Sequence, residues 1–257
     1  GLKMRSPQPS ATQALQLLGA VPVSKSVTET YELLSSGVLV GGRTVLGFLA
    51  LWLAGALNLA LATVAFRWRD LGFVMPDIAR SIRLAWFPLA YLLVFLGMSL
   101  FLGLPPLATA LFVAMDTALV GLSEEWMFRG VLFRGLRAQF SLRPAIILCC
   151  LLFGSVHVLN VFVTGELGQS VLQATTAAMS GLVFVALLVR IGSLWVPIVY
   201  HALWDFGTFM ISAGADKTAA HPLDSGGLML LVPLAIVLPN FLYALYLLRN
   251  VTDEKPS

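Results

Sequence analysis

Three short blocks of ionisable side chains interrupt otherwise apolar sequence and are the first candidates for chemistry. They consist of Glu124, Glu125 and Arg129, of Phe153 with His157, and of His201 with Asp205. An ionised side chain inside a bilayer costs about 2.5–3.5 kcal/mol on insertion scales, so residues of this kind usually serve a function. Two of the three histidines in the chain lie in these blocks. We therefore treat the six ionisable residues as one candidate site.

The residue types in the blocks suit the hydrolysis of a peptide bond. A carboxylate and a histidine can take a proton from a water molecule as it attacks a carbonyl, and a second histidine can stabilise the oxyanion. Imidazole and carboxylate groups are also good ligands for Zn²⁺. The chain has no H-E-x-x-H or G-x-S-x-G motif, and no pair of intramembrane aspartates in Gly-Asp or Tyr-Asp settings. The common patterns of zinc, serine and aspartyl proteases are therefore absent.

Each block also has an interpretation that needs no catalysis. Glu125 and Arg129 can form an ion pair near the membrane boundary, with the arginine reaching for water. His157 can donate to a backbone carbonyl in the core, and His201 with Asp205 can clamp two helices together. Three independent clamps are less probable than one shared site, so we favour the site.

Four other residues receive structural interpretations. Asp116 lies about two turns before Glu124 and is assigned to helix packing or a cavity, and His221 is assigned to a solvated loop. Cys149 and Cys150 are neighbours in an apolar run, so a disulfide between them is not expected and they are too few for a zinc–thiolate cluster.

The composition is that of a membrane protein. Hydrophobic residues make up 58% of the 257 residues and charged residues only 11%, whereas soluble domains contain about 25% charged residues. The mean hydropathy is +0.89. The net charge of +3 is small, and no basic cluster with interleaved aromatics is present, so nucleic acid is not an expected partner.

Apolar runs near the ~20 residues that cross a bilayer predict an all-α, polytopic transmembrane bundle of about seven spans, within a range of six to eight. The bundle is expected to hold a polar active-site cavity. The predicted spans are Thr44–Phe66, Leu84–Leu102, Leu107–Phe128, Ala145–Val163, Val171–Val189, Leu194–Ile211 and Gly227–Leu248.

The polar segment 1–37 is predicted to be a surface tail, with an interfacial helix as one option, and 38–257 a transmembrane domain with a catalytic core at about 107–211. In the seven-span arrangement, eleven Lys and Arg residues lie on one side and five on the other. The positive-inside rule makes the first side cytoplasmic and places the N-terminus outside.

The elements must bring the blocks together. A tight turn around Phe140 to Pro144 predicts an antiparallel hairpin, in which Glu124 and His157 reach a similar depth at ~1.5 Å per residue. Glu125 and Arg129 are spaced i,i+4 and can pair. Because Glu124 points about 100° away from Glu125, it is free to face a cavity.

The third block predicts a second face. His201 and Asp205 are also spaced i,i+4, so one helix presents both side chains. Pro197 is expected to kink that helix and open a wet pocket. Phe153 shares the face of His157 and is expected to wall the site.

The three blocks resemble the CPBP family, which contains CAAX prenyl endopeptidases and bacteriocin-processing enzymes and is also called the Abi family. They correspond in order and spacing to its E-E-x-x-x-R, F-x-x-x-H and H-x-x-x-(N/D) motifs, over roughly Leu107 to Ile211. By this resemblance Glu124 and His157 activate the attacking water, Glu125 and Arg129 support them, and His201 and Asp205 form the oxyanion side. No cofactor is favoured, with Zn²⁺ as the alternative. Prenyl-protein endopeptidases typically have Asn where this chain has Asp205.

The resemblance implies an intramembrane endopeptidase, resident in a bacterial or archaeal cell membrane, that cuts a membrane-associated peptide or protein. Prenylated C-termini, leader peptides and C-terminal sorting tails are the candidate substrates. Two alternatives remain: a non-catalytic immunity or sorting scaffold, and a proton-coupled carrier, because chains of Asp, Glu and His also relay protons in membranes.

Overall fold

The computed structural model describes residues 71–218 and 231–252, together with positions 53, 55–61, 63 and 64. Within these ranges the regular structure is entirely helical, which confirms the all-α prediction. The six long helices are α1 Ile78–Leu102, α2 Leu107–Glu125, α3 Leu142–Val156, α4 Leu167–Ile191, α5 Trp195–Thr218 and α6 Val232–Leu248. The predicted tail 1–37 and His221 lie outside the described residues.

Two of these helices continue in other helical forms. After α2 the chain forms a π-helix over Trp126–Leu132 and a short α-helix over Phe133–Arg137. After α3 it forms a 3₁₀-helix over His157–Asn160 and a last α-turn over Val161–Thr164. Both changes of helix type occur beside predicted site residues.

Within the part of the chain that the structure describes, four helical segments are long and apolar enough to cross a membrane: 78–102, 107–137, 142–160 and 167–191. These segments coincide with four of the predicted spans and make the protein an integral membrane protein. The α6 helix is apolar but only 17 residues long. The predicted span Thr44–Phe66 is described only in part, so the total of seven stays a prediction.

Close helix contacts hold the bundle together. The α5 helix packs on both α2 and α1, and the α4 helix packs on both α3 and α6. A Cβ atom on Gly121 of α2 would lie 2.9 Å from the carbonyl oxygen of Ile198 on α5, and a Cβ atom on Gly154 of α3 would lie 2.5 Å from that of Ala174 on α4. Glycine at these two positions therefore lets the helix backbones approach closely.

Arg80 and Arg190, two of the eleven basic residues that the seven-span arrangement places on one side, meet at one end of the bundle. Arg80 Nη2 donates to the carbonyl of Arg190 at 2.8 Å, and the amide of Leu194 donates to the carbonyl of Gly72 at 2.7 Å. This contact agrees with the placement of both arginines on one side. Cys149 and Cys150 are free and buried, as expected.

The prediction that Pro197 kinks its helix is wrong. The α5 helix begins at Trp195, which places Pro197 in the first turn. A proline there removes no helical hydrogen bond, because the first turn has unsatisfied N–H groups in any case. Pro197 therefore helps to start α5 and does not open a pocket within it.

Candidate active site

Glu125 and Arg129 form a fully buried ion pair. Arg129 Nη1 lies 2.8 Å from Glu125 Oε1, and neither side chain has exposed surface. Arg129 Nη2 donates to the carbonyl of Gly181 on α4 at 3.1 Å, and the guanidinium lies 4.1 Å from the ring centre of Phe153 on α3. The predicted i,i+4 pair is confirmed. Because it is buried and joins three helices, it is not an arginine that reaches for water at the membrane boundary.

The same glutamate holds His201 of α5. His201 Nδ1 lies 3.0 Å from Glu125 Oε1, and a carboxylate only accepts hydrogen bonds, so Nδ1 carries the proton. The Phe184 ring stacks on the imidazole, with 4.5 Å between ring centres and 21° between planes. These contacts fix the ring and leave Nε2 as the nitrogen that faces the rest of the site.

Two partly exposed carboxylates lie near His201 Nε2. Asp205 Oδ2 is 3.4 Å away and Glu124 Oε2 is 3.9 Å away. Their side chains keep 27% and 19% of their surface exposed. The two adjacent glutamates therefore differ, since Glu125 is paired and sealed while Glu124 remains accessible.

His157 lies where α3 changes into the 3₁₀-helix. Its Nδ1 is 2.9 Å from the carbonyl oxygen of Phe153, and a carbonyl can only accept, so Nδ1 is protonated and Nε2 of a neutral ring has a free lone pair. Among the described residues no hydrogen bond joins His157 to Glu124. The carbonyl bond expected of a packing histidine is thus present, but it uses only one of the two nitrogens.

Phe153 forms the predicted wall of the site. It is 2% exposed, and its ring meets those of His157 and His201 edge to face, with centres 5.2 and 6.1 Å away. Together with Phe184, which is also 2% exposed, it surrounds the imidazole of His201 with apolar surface. The low polarity of this wall strengthens the electrostatic contacts inside it.

The π-helix of Trp126–Leu132 begins directly after Glu125, and sequence reasoning missed it. Short π segments frequently occur at functional sites. Gly130 lies inside the segment, where a Cβ atom would approach Leu194 to 3.2 Å and Trp126 to 3.3 Å. This glycine is the only signal in the sequence that we connect with the feature, and it is a weak one.

Sequence reasoning also missed the strap, the non-helical segment 71–76 that packs against Trp126 and the start of α5. The ring centre of Phe73 lies 5.1 Å from that of Trp126 and 5.2 Å from that of Trp195, in edge-to-face contacts. Gly72 has φ +91°, a conformation that favours glycine. Trp126 and Trp195 are therefore packed against the strap.

The described residues do not fit a zinc site. No group of three His, Cys, Asp or Glu side chains within the described ranges is placed to hold a metal ion. His201 and His157 each direct Nδ1 to a protein oxygen and leave Nε2 facing the site, but among the described residues the two rings are not joined by a third ligand into a metal-binding group.

Comparison with known protein families gives a match. Residues 106–207 match the family model described as type II CAAX prenyl endopeptidase Rce1-like. A search of curated proteins found no match, and neither did a search of solved structures. The matched range contains all three blocks. The chain thus carries an Rce1-like domain at residues 106–207, and this confirms the family resemblance that the three blocks indicated.

Proposed function

We propose that this protein is an intramembrane endopeptidase that hydrolyses a peptide bond in a membrane-associated protein or peptide. The observation that carries the proposal is the contrast between neighbouring glutamates. Glu125 is fully buried against Arg129 and His201, whereas Glu124 keeps part of its carboxylate exposed beside His201. An accessible carboxylate beside a fixed imidazole can act as a general base on a water molecule bound there.

In the proposed reaction Glu124 removes a proton from a water molecule while the water oxygen attacks the carbonyl carbon. His157 accepts a hydrogen bond from the same water through Nε2, because its Nδ1 proton is committed to Phe153. The tetrahedral intermediate then loses the amine when the C–N bond breaks. Glu124 returns its proton to the departing nitrogen, which leaves a carboxylic acid and a free amine.

His201 stabilises the negative charge that develops on the carbonyl oxygen. Because its Nδ1 proton is committed to Glu125, His201 donates to the oxyanion as the doubly protonated imidazolium, whose Nε2–H lies on the side of Asp205. Arg129 acts through Glu125, because it neutralises and orients that carboxylate without facing the exposed side of the cluster. Donors fixed before the reaction stabilise a transition state at little reorganisation cost.

The substrate is of the class that the Rce1-like family implies, namely a membrane-associated peptide or protein. Prenylated C-termini are one candidate, and leader peptides and C-terminal sorting tails are two others. Asp205 stands where the prenyl-protein endopeptidases typically have Asn. The effect of Asp205→Asn on prenylated and unprenylated peptides can therefore distinguish these candidate substrates.

The experiment is cleavage of a peptide library by the purified protein in detergent. The library contains farnesylated peptides with CAAX ends, membrane-anchored leader peptides and membrane-anchored C-terminal tails. Glu124→Gln and His157→Ala are each expected to lower kcat/KM by at least about 100-fold, in the range that general acid–base groups contribute. Glu166→Gln, which changes an exposed carboxylate at the start of α4, is the matched control.

A zinc chelator distinguishes the two mechanisms. Cleavage that persists with chelator supports the glutamate-activated water, whereas loss with chelator and recovery with Zn²⁺ would replace it by a metal mechanism. If the wild type cleaves no member of the library and Glu124→Gln still complements a cellular phenotype, the protein is a scaffold or a carrier.

A further inference from the structure

A pair of primary amides lies next to His157 and is not used in the proposed reaction. Asn160 Nδ2 donates to Gln173 Oε1 at 2.5 Å, which connects the end of the 3₁₀-helix with α4. Both side chains are half-buried, and both lie within segments that are long and apolar enough to cross a membrane. Primary amides in such segments need hydrogen-bond partners, because unsatisfied polar groups are costly there.

The 3₁₀-helix places Asn160 on the same edge as His157. Side chains three residues apart eclipse each other in a 3₁₀-helix, and the rise is about 2.0 Å per residue. His157 and Asn160 begin and end this segment, so Asn160 is displaced by roughly 6 Å along the axis and lies directly in line with the histidine. An uninterrupted α-helix would set the two side chains about 60° apart around the axis and about 4.5 Å apart along it.

The amide pair has hydrogen-bonding capacity left over. One bond between two primary amides leaves the oxygen of Asn160 and the NH₂ group of Gln173. Neither side chain makes a further hydrogen bond among the described residues. One acceptor beside one donor is complementary to the N–H and C=O groups of an extended peptide backbone.

We propose that Asn160 and Gln173 bind the main chain of the substrate about two residues from the scissile bond. This inference rests on the proposed function, because it assumes that His157 lies at the bond that is cut. An extended chain spans about 3.3–3.6 Å per residue, so the 6 Å displacement corresponds to about two residues. Asn160 and Gln173 would bind main-chain groups and not side chains of the substrate. They would therefore hold the peptide extended whatever its sequence.

The test uses the peptide of the library that the wild type cuts fastest. A series of analogues replaces each peptide N–H, one at a time, by an ester oxygen over the three residues on either side of the cleaved bond. In the wild type we expect one position, about two residues from that bond, to lower kcat/KM roughly tenfold. In Asn160→Leu the unmodified peptide should lose a similar factor, and the ester at that position should cost nothing further.

Two variants make the result specific. Asn160→Asp keeps an acceptor at this position, so it should retain the ester penalty. Gln169→Leu changes an exposed amide one turn away on α4 and should behave as the wild type. An ester penalty of equal size in wild type and Asn160→Leu overturns the proposed contact, and it then marks the pair as a clamp between helices. If the wild type cuts no peptide at all, the proposed function fails and this inference falls with it.

Discussion

Glu125 and His201 meet across two helices, with 3.0 Å between Oε1 and Nδ1, and the same oxygen accepts a hydrogen bond from Arg129. The shared oxygen makes Glu125 the centre of a buried hydrogen-bond network that connects the guanidinium of Arg129 with the imidazole of His201. Positive charge on one side of the carboxylate and an N–H group on the other fix its orientation. Glu124 and Asp205, which lie on the Nε2 side of His201, are the two carboxylates that keep exposed surface.

Replacing Glu125 should destabilise the protein, whereas replacing Glu124 should not. Glu125→Gln leaves Arg129 as a buried charge without a counter-charge, which costs about 3–5 kcal/mol when one partner of a buried pair is removed. Glu124→Gln disturbs no buried ion pair and should leave stability nearly unchanged. Thermal unfolding of the detergent-solubilised proteins checks the difference, and equal midpoints for the two variants would contradict the assignment.

Arg129 should not be replaceable by lysine. Its guanidinium contacts Glu125, the carbonyl of Gly181 and the ring of Phe153 at once. An ammonium group keeps the charge but lacks the planar fork that makes these contacts together. We expect Arg129→Lys to lower the midpoint of unfolding and to reduce kcat by at least tenfold, because His201 loses its fixed support. Arg83→Lys, on the exposed surface of α1, is the control that should change neither value.

Gly154→Ala should separate α3 from α4. The added Cβ would lie 2.5 Å from the carbonyl oxygen of Ala174 and 2.7 Å from the Cβ of Ala178, so the backbones must move. Overpacking of this kind costs about 1–3 kcal/mol. His157 follows three residues later, so kcat should fall together with stability.

Gly168→Ala is the matched control for this substitution. It adds the same methyl group to α4, where no atom lies within 4 Å of the new Cβ. Because alanine favours helix over glycine by roughly 0.5–1 kcal/mol, this control should be as stable as the wild type or slightly more stable. A destabilised control, or a Gly154→Ala protein as stable as the wild type, would show that the α3–α4 contact is not the limiting feature.

Asp205 should tolerate asparagine better than leucine. Asp205 Oδ2 lies 3.4 Å from His201 Nε2, and an amide oxygen can accept from the same nitrogen while its NH₂ group donates. We expect Asp205→Asn to keep kcat/KM within about tenfold of the wild type, and Asp205→Leu to lose about 100-fold. The measurement is steady-state cleavage of one farnesylated and one unprenylated peptide. A gain for the farnesylated peptide alone would assign this position to substrate choice.

Much of the fold and one contact within the candidate site could be predicted from sequence. Apolar length is a local property, so four of the predicted spans coincide with helices that can cross a membrane. The pair of Glu125 with Arg129 was predictable because i,i+4 neighbours meet on any α-helical surface. The prediction of a kink at Pro197 was wrong for a local reason too. The effect of a proline depends on its distance from the start of the helix, and Pro197 lies in the first turn.

Only the tertiary structure decided which candidate site residues contact one another and which of them stay accessible. His201 lies 76 residues from Glu125 in sequence, and no periodicity within either helix indicates that the two share a hydrogen bond. The stacking of Phe184, the strap 71–76 and the contact between Asn160 and Gln173 also depend on how separate helices pack. The sequence by itself determined which residues carry charge into the membrane, because that is a matter of composition along each helix. Which glutamate is sealed and which stays accessible was decided by the packing of α2 against α5, because burial depends on neighbours that lie far away along the chain.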